Sequence, residues 1–168
     1  MAYLLDANVF IAARQLHYGF DFCPAFWDWL IHAHRIGLVF SIDRVAGEIQ
    51  AGEGDLSDWA GELDDGFFIE PDEQVLPALG SVSAWATDHR FPNGQSYTQA
   101  AVNTFLQVAD YYLVAQALAG SHIVVTHEKV ANSIGNVKIP NACLGVGVRY
   151  MTPFEMLRRE RARFVLGC

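Results

Sequence analysis

Three short, mostly apolar runs constrain this chain more than any other feature. Tyr3-Leu4-Leu5, Leu38 to Ile42 and Ile123 to Thr126 are too short for helices and rich in Leu, Ile and Val. Continuous runs of that kind suit strands buried on both faces. Between them lie stretches of helical length. Val9 to Leu16 reads as a short helix, and Pro24 opens a helix to about Ile36 that Gly37 stops. Asp43 to Gln50, Asp55 to Asp65 and Glu73 to Asp88 are further helices, followed by a turn-rich connector over His89 to Ser96. Thr98 to Ala119 is helical in pattern with a break near Val108, and Gly120 supplies its stop. Residues 131–149 read as loop, with a short strand at Val137 to Ile139, and Pro153 starts a last helix. Strands alternating with helices predict an α/β chain, a three-layer α/β/α arrangement around a mostly parallel sheet. With no internal repeat or linker, residues 1–168 are expected to form a single domain.

Composition narrows the class. At 168 residues, 52% hydrophobic and 18% charged, the chain can build a sizeable core, which excludes disordered, collagen-like and disulfide-miniprotein designs. Three widely spaced cysteines (Cys23, Cys143, Cys168) form no C-x-x-C pair and fit a reducing cytoplasm. The first residues carry no basic leader, and no apolar run approaches the ~18 residues that span a bilayer. A soluble, cytoplasmic protein is expected. The net charge of −8 is uneven: residues 1–128 hold 17 acids and 4 bases (−13), whereas residues 129–168 hold 7 bases and 2 acids (+5). An acidic chain is a poor generic binder of polyanions. The basic ending (Arg158, Arg159, Arg161, Arg163) partly offsets this, although such runs ordinarily solvate a terminal helix.

In parallel α/β sheets, sites form outside the carboxyl ends of the strands. The first run ends at Asp6, the second near Ser41 with Glu48 beyond, and the third at Thr126 with Glu128 two residues on. Asp110 joins them by length. A helix from Asp110 to Ala119 descends ~14 Å at about 1.5 Å per residue. The strand that follows climbs back ~13 Å at about 3.3 Å per residue. Taken singly, each acid has an ordinary reading as a cap or an exposed residue. Together they place four carboxylates on one edge. Asp110 shares a helical face with Leu113, Val114 and Ala117, and Asp6 lies between apolar runs, so both are expected to be buried. Buried like charges need a partner, yet residues 91–128 contain no Lys or Arg. A hard divalent cation, Mg²⁺ or Mn²⁺, resolves that conflict with oxygen ligands.

These segments resemble the PIN-domain (PilT N-terminus) nuclease family. Leu4-Leu5-Asp6-Ala7-Asn8-Val9-Phe10-Ile11 is similar to its first acidic motif. Phe40-Ser41-Ile42 with Glu48-Ile49 is similar to the second, and Ala109-Asp110-Tyr111-Tyr112-Leu113-Val114-Ala115-Gln116-Ala117 to the third. Val124-Val125-Thr126-His127-Glu128 resembles the Thr-x-Asp ending, with Glu in place of Asp. The Tyr18 to Leu30 segment and Pro153-Phe154-Glu155-Met156-Leu157 resemble an uncharacterised VapC-like branch found beside antitoxin genes. The resemblance implies a PIN-like fold and a Mg²⁺- or Mn²⁺-dependent endoribonuclease, commonly the toxin of a toxin–antitoxin pair. RNA would be its substrate, an antitoxin protein its partner, and a homodimer stays open. Asp6, Glu48, Asp110 and Glu128 would be the catalytic metal ligands, supported by Asn8, Ser41 and Thr126. Arg14, Arg44 and His127 are candidate RNA contacts.

Other signals carry less. His32 and His34, two apart on a helix, point to different faces and make a poor chelate. The aromatics from Tyr18 to Trp29 suit core packing first, then a partner surface, then base stacking. A haloacid-dehalogenase-type phosphatase needs Asp-x-Asp, but Asn8 fills the third position, and a receiver domain needs an acidic pair that is absent. The alternative outside catalysis is a PIN-like module that binds RNA or protein without cutting.

Overall fold

The computed structural model describes residues 1–165. At its centre are β1 (Tyr3–Leu5), β2 (Val39–Ile42), β3 (Phe68–Ile69), β4 (Ile123–Val125) and β5 (Arg149–Met151). They form one five-stranded sheet in the order β3-β2-β1-β4-β5, and every pairing is parallel. Nine α-helices connect and flank the strands among the described residues. They are α1 (Ala7–Ala12), α2 (Pro24–Arg35), α3 (Asp43–Gln50), α4 (Asp55–Gly61), α5 (Val75–Asp88), α6 (Gln99–Phe105), α7 (Ala109–Gly120), α8 (Ile139–Val146) and α9 (Pro153–Arg159). No helix among the described residues is long and apolar enough to cross a membrane.

The strand order explains the layers. From β1 the chain steps outward to β2 and β3, then crosses back to β4 and continues the other way to β5. Right-handed crossovers in opposite directions put their helices on opposite faces. Thus α3 packs with α1 and α4, while α5 packs along α7 and α8. The reversal leaves a switch point between β1 and β4, where parallel α/β sheets open a crevice at the carboxyl edge. The first layer is aromatic: Trp27 stacks on Phe20 and meets Trp59, and Phe10 meets Trp59 and Phe67. This accounts for most of the Tyr18 to Trp29 segment as core, with Phe22 left exposed. His34 lies against Phe40 and Phe67, a packing role rather than a ligand's.

The expected helix–strand alternation is present, with differences that have physical causes. The loop expected over residues 131–149 instead contains α8 and ends at the first residue of β5. Pro140 fits the first turn of α8, and Ile139, Ala142 and Cys143 are buried along it, so the segment at Val137 to Ile139 is no strand. β3 and β5 span two and three residues and bury little, so neither leaves a clear apolar run. Helix α7 runs through Gly120, and Ser121 takes the left-handed cap at φ 52°. Helix α1 starts directly after Asp6 and continues as a π-helical turn over Ala13–His17. Cys23 and Cys143 are free, and Cys168 lies outside the described residues.

Gly145 shows how closely the second layer is packed. A Cβ there would overlap the Trp85 indole of α5. Helix propensity alone would favour Gly145→Ala by ~1 kcal/mol. The overlap reverses the sign, and denaturant unfolding is expected to show destabilisation of about 1–2 kcal/mol.

Candidate active site

Asp6 follows β1 directly, and its backbone N–H donates to the Val125 carbonyl at 3.0 Å. Its carboxylate is therefore fixed at the switch point beside the end of β4. Asp6 is 5% exposed, and Thr126 and Ser41 are buried with it. The Thr126 hydroxyl donates to Asp6 Oδ2 at 2.8 Å. The same Thr126 oxygen accepts from the Asn8 side-chain amide and from the Glu128 N–H, each at 3.1 Å. A hydroxyl has one donor and two acceptor sites, so Thr126 is saturated and its proton must point at Asp6. Asn8 Oδ1 accepts from the His127 N–H at 3.1 Å, tying the start of α1 to the turn after β4. Ser41 donates to the Leu5 carbonyl at 2.6 Å, so it braces β1 from the β2 side.

Asp110 arrives from the opposite face. It lies in the first turn of α7, after Val108, which offers no side-chain cap, and it is half-buried. Burial pushes the Asp6 carboxyl up to about 7, reinforced by the negative charges of Asp110 and Glu128. Burial, then Glu128 and Glu48, pushes Asp110 up to about 6, while Lys138 pulls it back. The sheet edge thus brings Asp110 and Glu128 within electrostatic reach of Asp6, and Glu128 and Glu48 within reach of Asp110.

They are not equivalent. Glu48 is exposed on α3 and borders an open cavity of ≈ 200 Å³ that also contains Arg14 and Leu56. Glu128 turns away: its Oε1 accepts from Lys138 Nζ at 3.0 Å and its Oε2 from the Ile139 N–H at 2.8 Å. It thereby satisfies the first N–H of α8, where a negative charge also suits the helix dipole. Among the described residues, no three His, Cys, Asp or Glu side chains are grouped so as to hold a metal ion. Of the four expected ligands, Glu48 lies in solvent and Glu128 is held by Lys138. Asp6 and Asp110 still fit a hard cation, because Mg²⁺ commonly binds through one or two carboxylates plus water and substrate phosphate.

The remaining candidates are accounted for individually. Arg14 pairs with Asp55 at 2.8 Å, and the Arg44 guanidinium lies 3.5 Å from the centre of the Tyr112 ring. His127 packs its ring near those of His17 and Phe154, and burial and His17 lower its pKa. Lys138 escaped the sequence reading. Its one signal is being the nearest Lys beyond Lys129 after the acidic third segment, inside a stretch that reads as loop.

A family model described as "Domain of unknown function (DUF4411)" matches residues 3–164. The chain belongs to the DUF4411 family. No curated protein matches this DUF4411 chain. Among solved structures, a chain from FitAB bound to an IR36 DNA fragment aligns over 90% of this chain and 95% of its own, with a TM-score of 0.54 and 18% identity. At that identity the likeness is one of fold, and the DUF4411 chain has a PIN-like α/β fold.

Two outcomes follow from this geometry. In metal-free buffer, carboxyls whose pKa is raised on folding cost no stability below about pH 4 and cost progressively more as pH rises to about 7. Asp6→Asn is therefore expected to match the wild-type Tm near pH 4 and to exceed it at pH 8 by about 2–4 kcal/mol of stability. Thermal melts across pH in EDTA check this. Thr126→Val strands the Asn8 amide and the Glu128 N–H, and is expected to lower stability by about 1–3 kcal/mol in the same melts.

Proposed function

We propose that this DUF4411 protein is a Mg²⁺- or Mn²⁺-dependent nuclease that hydrolyses RNA phosphodiester bonds and acts as the toxin of a toxin–antitoxin pair. One observation carries the reading. Two carboxylates from opposite helical layers, Asp6 and Asp110, are brought together at the switch point of a PIN-like sheet, and both are raised by burial. Structural acids are normally paired or exposed, and a like-charged buried pair at a strand edge suits a functional site.

A divalent cation bound there would lower the pKa of a water molecule and offset charge on the scissile phosphate. Asp6 and Asp110 would hold it. Thr126 keeps the Asp6 carboxylate in one orientation, and Asn8 keeps Thr126 in place. Such outer contacts align the groups that touch an ion, and their loss commonly weakens binding or activity 10–100-fold. Glu48, exposed on α3, would accept from water around the site. Hydrolysis adds one water across a P–O bond, leaving one fragment with the phosphate and the other with a hydroxyl.

The antitoxin partner rests on the sequence resemblance and on the similar fold, which in FitAB is seen bound to DNA. A second reading also has a specific observation behind it. The Glu128–Lys138 pair and the lack of a three-ligand group among the described residues favour a module that binds RNA or protein without cutting.

Incubating single-stranded RNA with the protein and Mn²⁺, with and without EDTA, separates the readings. Cleavage is expected with Mn²⁺ alone, and Asp6→Asn or Asp110→Asn is expected to reduce it by about 100-fold or more while the fold persists. Calorimetry should show Mn²⁺ binding that Asp110→Asn removes. Cleavage undiminished in Asp6→Asn, or RNA binding with no cleavage at all, would overturn the nuclease reading.

A further inference from the structure

The site is short of positive charge for the work proposed. Asp6, Asp110 and Glu128 act on one another at one edge, with Glu48 in reach of Asp110, and a phosphodiester brings a further negative charge. The nearby arginines are committed, Arg14 to Asp55 and Arg44 to the Tyr112 ring. Residues 91–128 contain no Lys or Arg. Lys138 is the cation that reaches the carboxylates: its Nζ lies 3.0 Å from Glu128 Oε1, with the side chains 31% and 20% exposed. Its charge also opposes the rise at Asp110, so it acts on both acids.

The chain immediately before it borders a cavity. The segment Gly135-Asn136-Val137 leads directly into Lys138 and forms one wall of an open cavity of ≈ 320 Å³. Asp110 lines the same cavity, facing Ala101 and Thr104 of α6. A strand lying there would pass between the Asp110 carboxylate and the turn that carries Lys138. Glu128 keeps the long lysine chain ordered, which reduces the entropy lost when it takes a new partner.

We propose that Lys138 is the substrate-contacting cation of this site: its ammonium rests on Glu128 in the free protein and turns to a non-bridging oxygen of the bound phosphodiester. The proposal depends on the nuclease reading above and names the residue that would recognise its substrate. It also gives Glu128 a role other than fourth ligand. Glu128 stores Lys138 and anchors α8, and the longer Glu side chain is what lets it reach both groups.

The test compares Lys138→Gln and Lys138→Arg with the wild type in Mn²⁺ binding, read by calorimetry with Mn²⁺ alone, and in cleavage of a single-stranded RNA oligonucleotide. Removing a positive charge beside a cation site should tighten Mn²⁺ binding, by about tenfold, while lowering kcat/KM by about 100-fold. The two readouts therefore move in opposite directions. Lys138→Arg should keep wild-type Mn²⁺ affinity and cleave within about tenfold of wild type, since the charge persists. Mn²⁺ binding and cleavage that fall together in Lys138→Gln would show a structural role for the lysine and overturn the proposal. Unchanged cleavage in Lys138→Gln overturns it as well. A wild type that neither cleaves nor loses Mn²⁺ binding on Asp6→Asn overturns the nuclease reading itself. An active wild type with an indifferent Lys138→Gln overturns only the role of Lys138.

Discussion

The parallel pairing of β1 with β4 is the constraint on which the rest depends. It joins residues 3–5 to residues 123–125, more than a hundred positions apart, and extends one hydrogen bond further from the Asp6 N–H to the Val125 carbonyl. That last bond sets Asp6 beside Thr126. Because β1 is also the point at which the chain reverses its direction across the sheet, α1 leaves on one face and α7 returns on the other. Asp6, just before α1, and Asp110, in the first turn of α7, therefore meet from opposite sides of a single edge. A slip of the pairing by one residue would carry Asp6 away from Thr126, so the β1–β4 register holds the acidic site together.

The meeting works against stability. Burial and mutual repulsion raise both Asp6 and Asp110, and the apolar strands beneath them must hold the arrangement together. The hydrogen bonds around Thr126 determine orientation rather than relieve the charge: a hydroxyl donating to a carboxylate lowers its pKa, yet Asp6 remains raised. Strain of this electrostatic kind persists where the surrounding fold over-determines it. Here Asn8, Thr126 and the backbone N–H groups of His127 and Glu128 bond to one another around Asp6, which locks the loop without adding a positive charge.

Much of this was legible in the sequence because it follows from lengths and periods. Burial on both faces left β1, β2 and β4 as apolar runs, and the matched rise of α7 and β4 returned Asp110 to the edge of Asp6. What was not legible depended on contacts that leave no local pattern. β3 and β5 bury too little to leave an apolar run, and α8 hides behind Pro140 and a run with several glycines. The aromatic layer was readable as apolar, but not which ring meets which. Lys138 was missed for a related reason, since its meaning depends on Glu128 reaching the N-terminus of α8, a helix that the sequence did not announce.

Side-chain length then decides what the fourth acid does. An Asp at position 128 would keep its carboxylate nearer the backbone that bonds Thr126, and so nearer Asp6 and Asp110. The extra methylene of Glu lets the carboxylate reach the Ile139 N–H and the Lys138 ammonium, two donors that it satisfies at once. Both contacts are charge-assisted, and a half-buried carboxylate with two such donors has little reason to leave them for a crowded acidic neighbour. The carboxylate at position 128 therefore holds a cation at the edge of the site. Glu128 and Lys138 thus offset each other's charge at the rim, while Asp6 and Asp110 keep theirs.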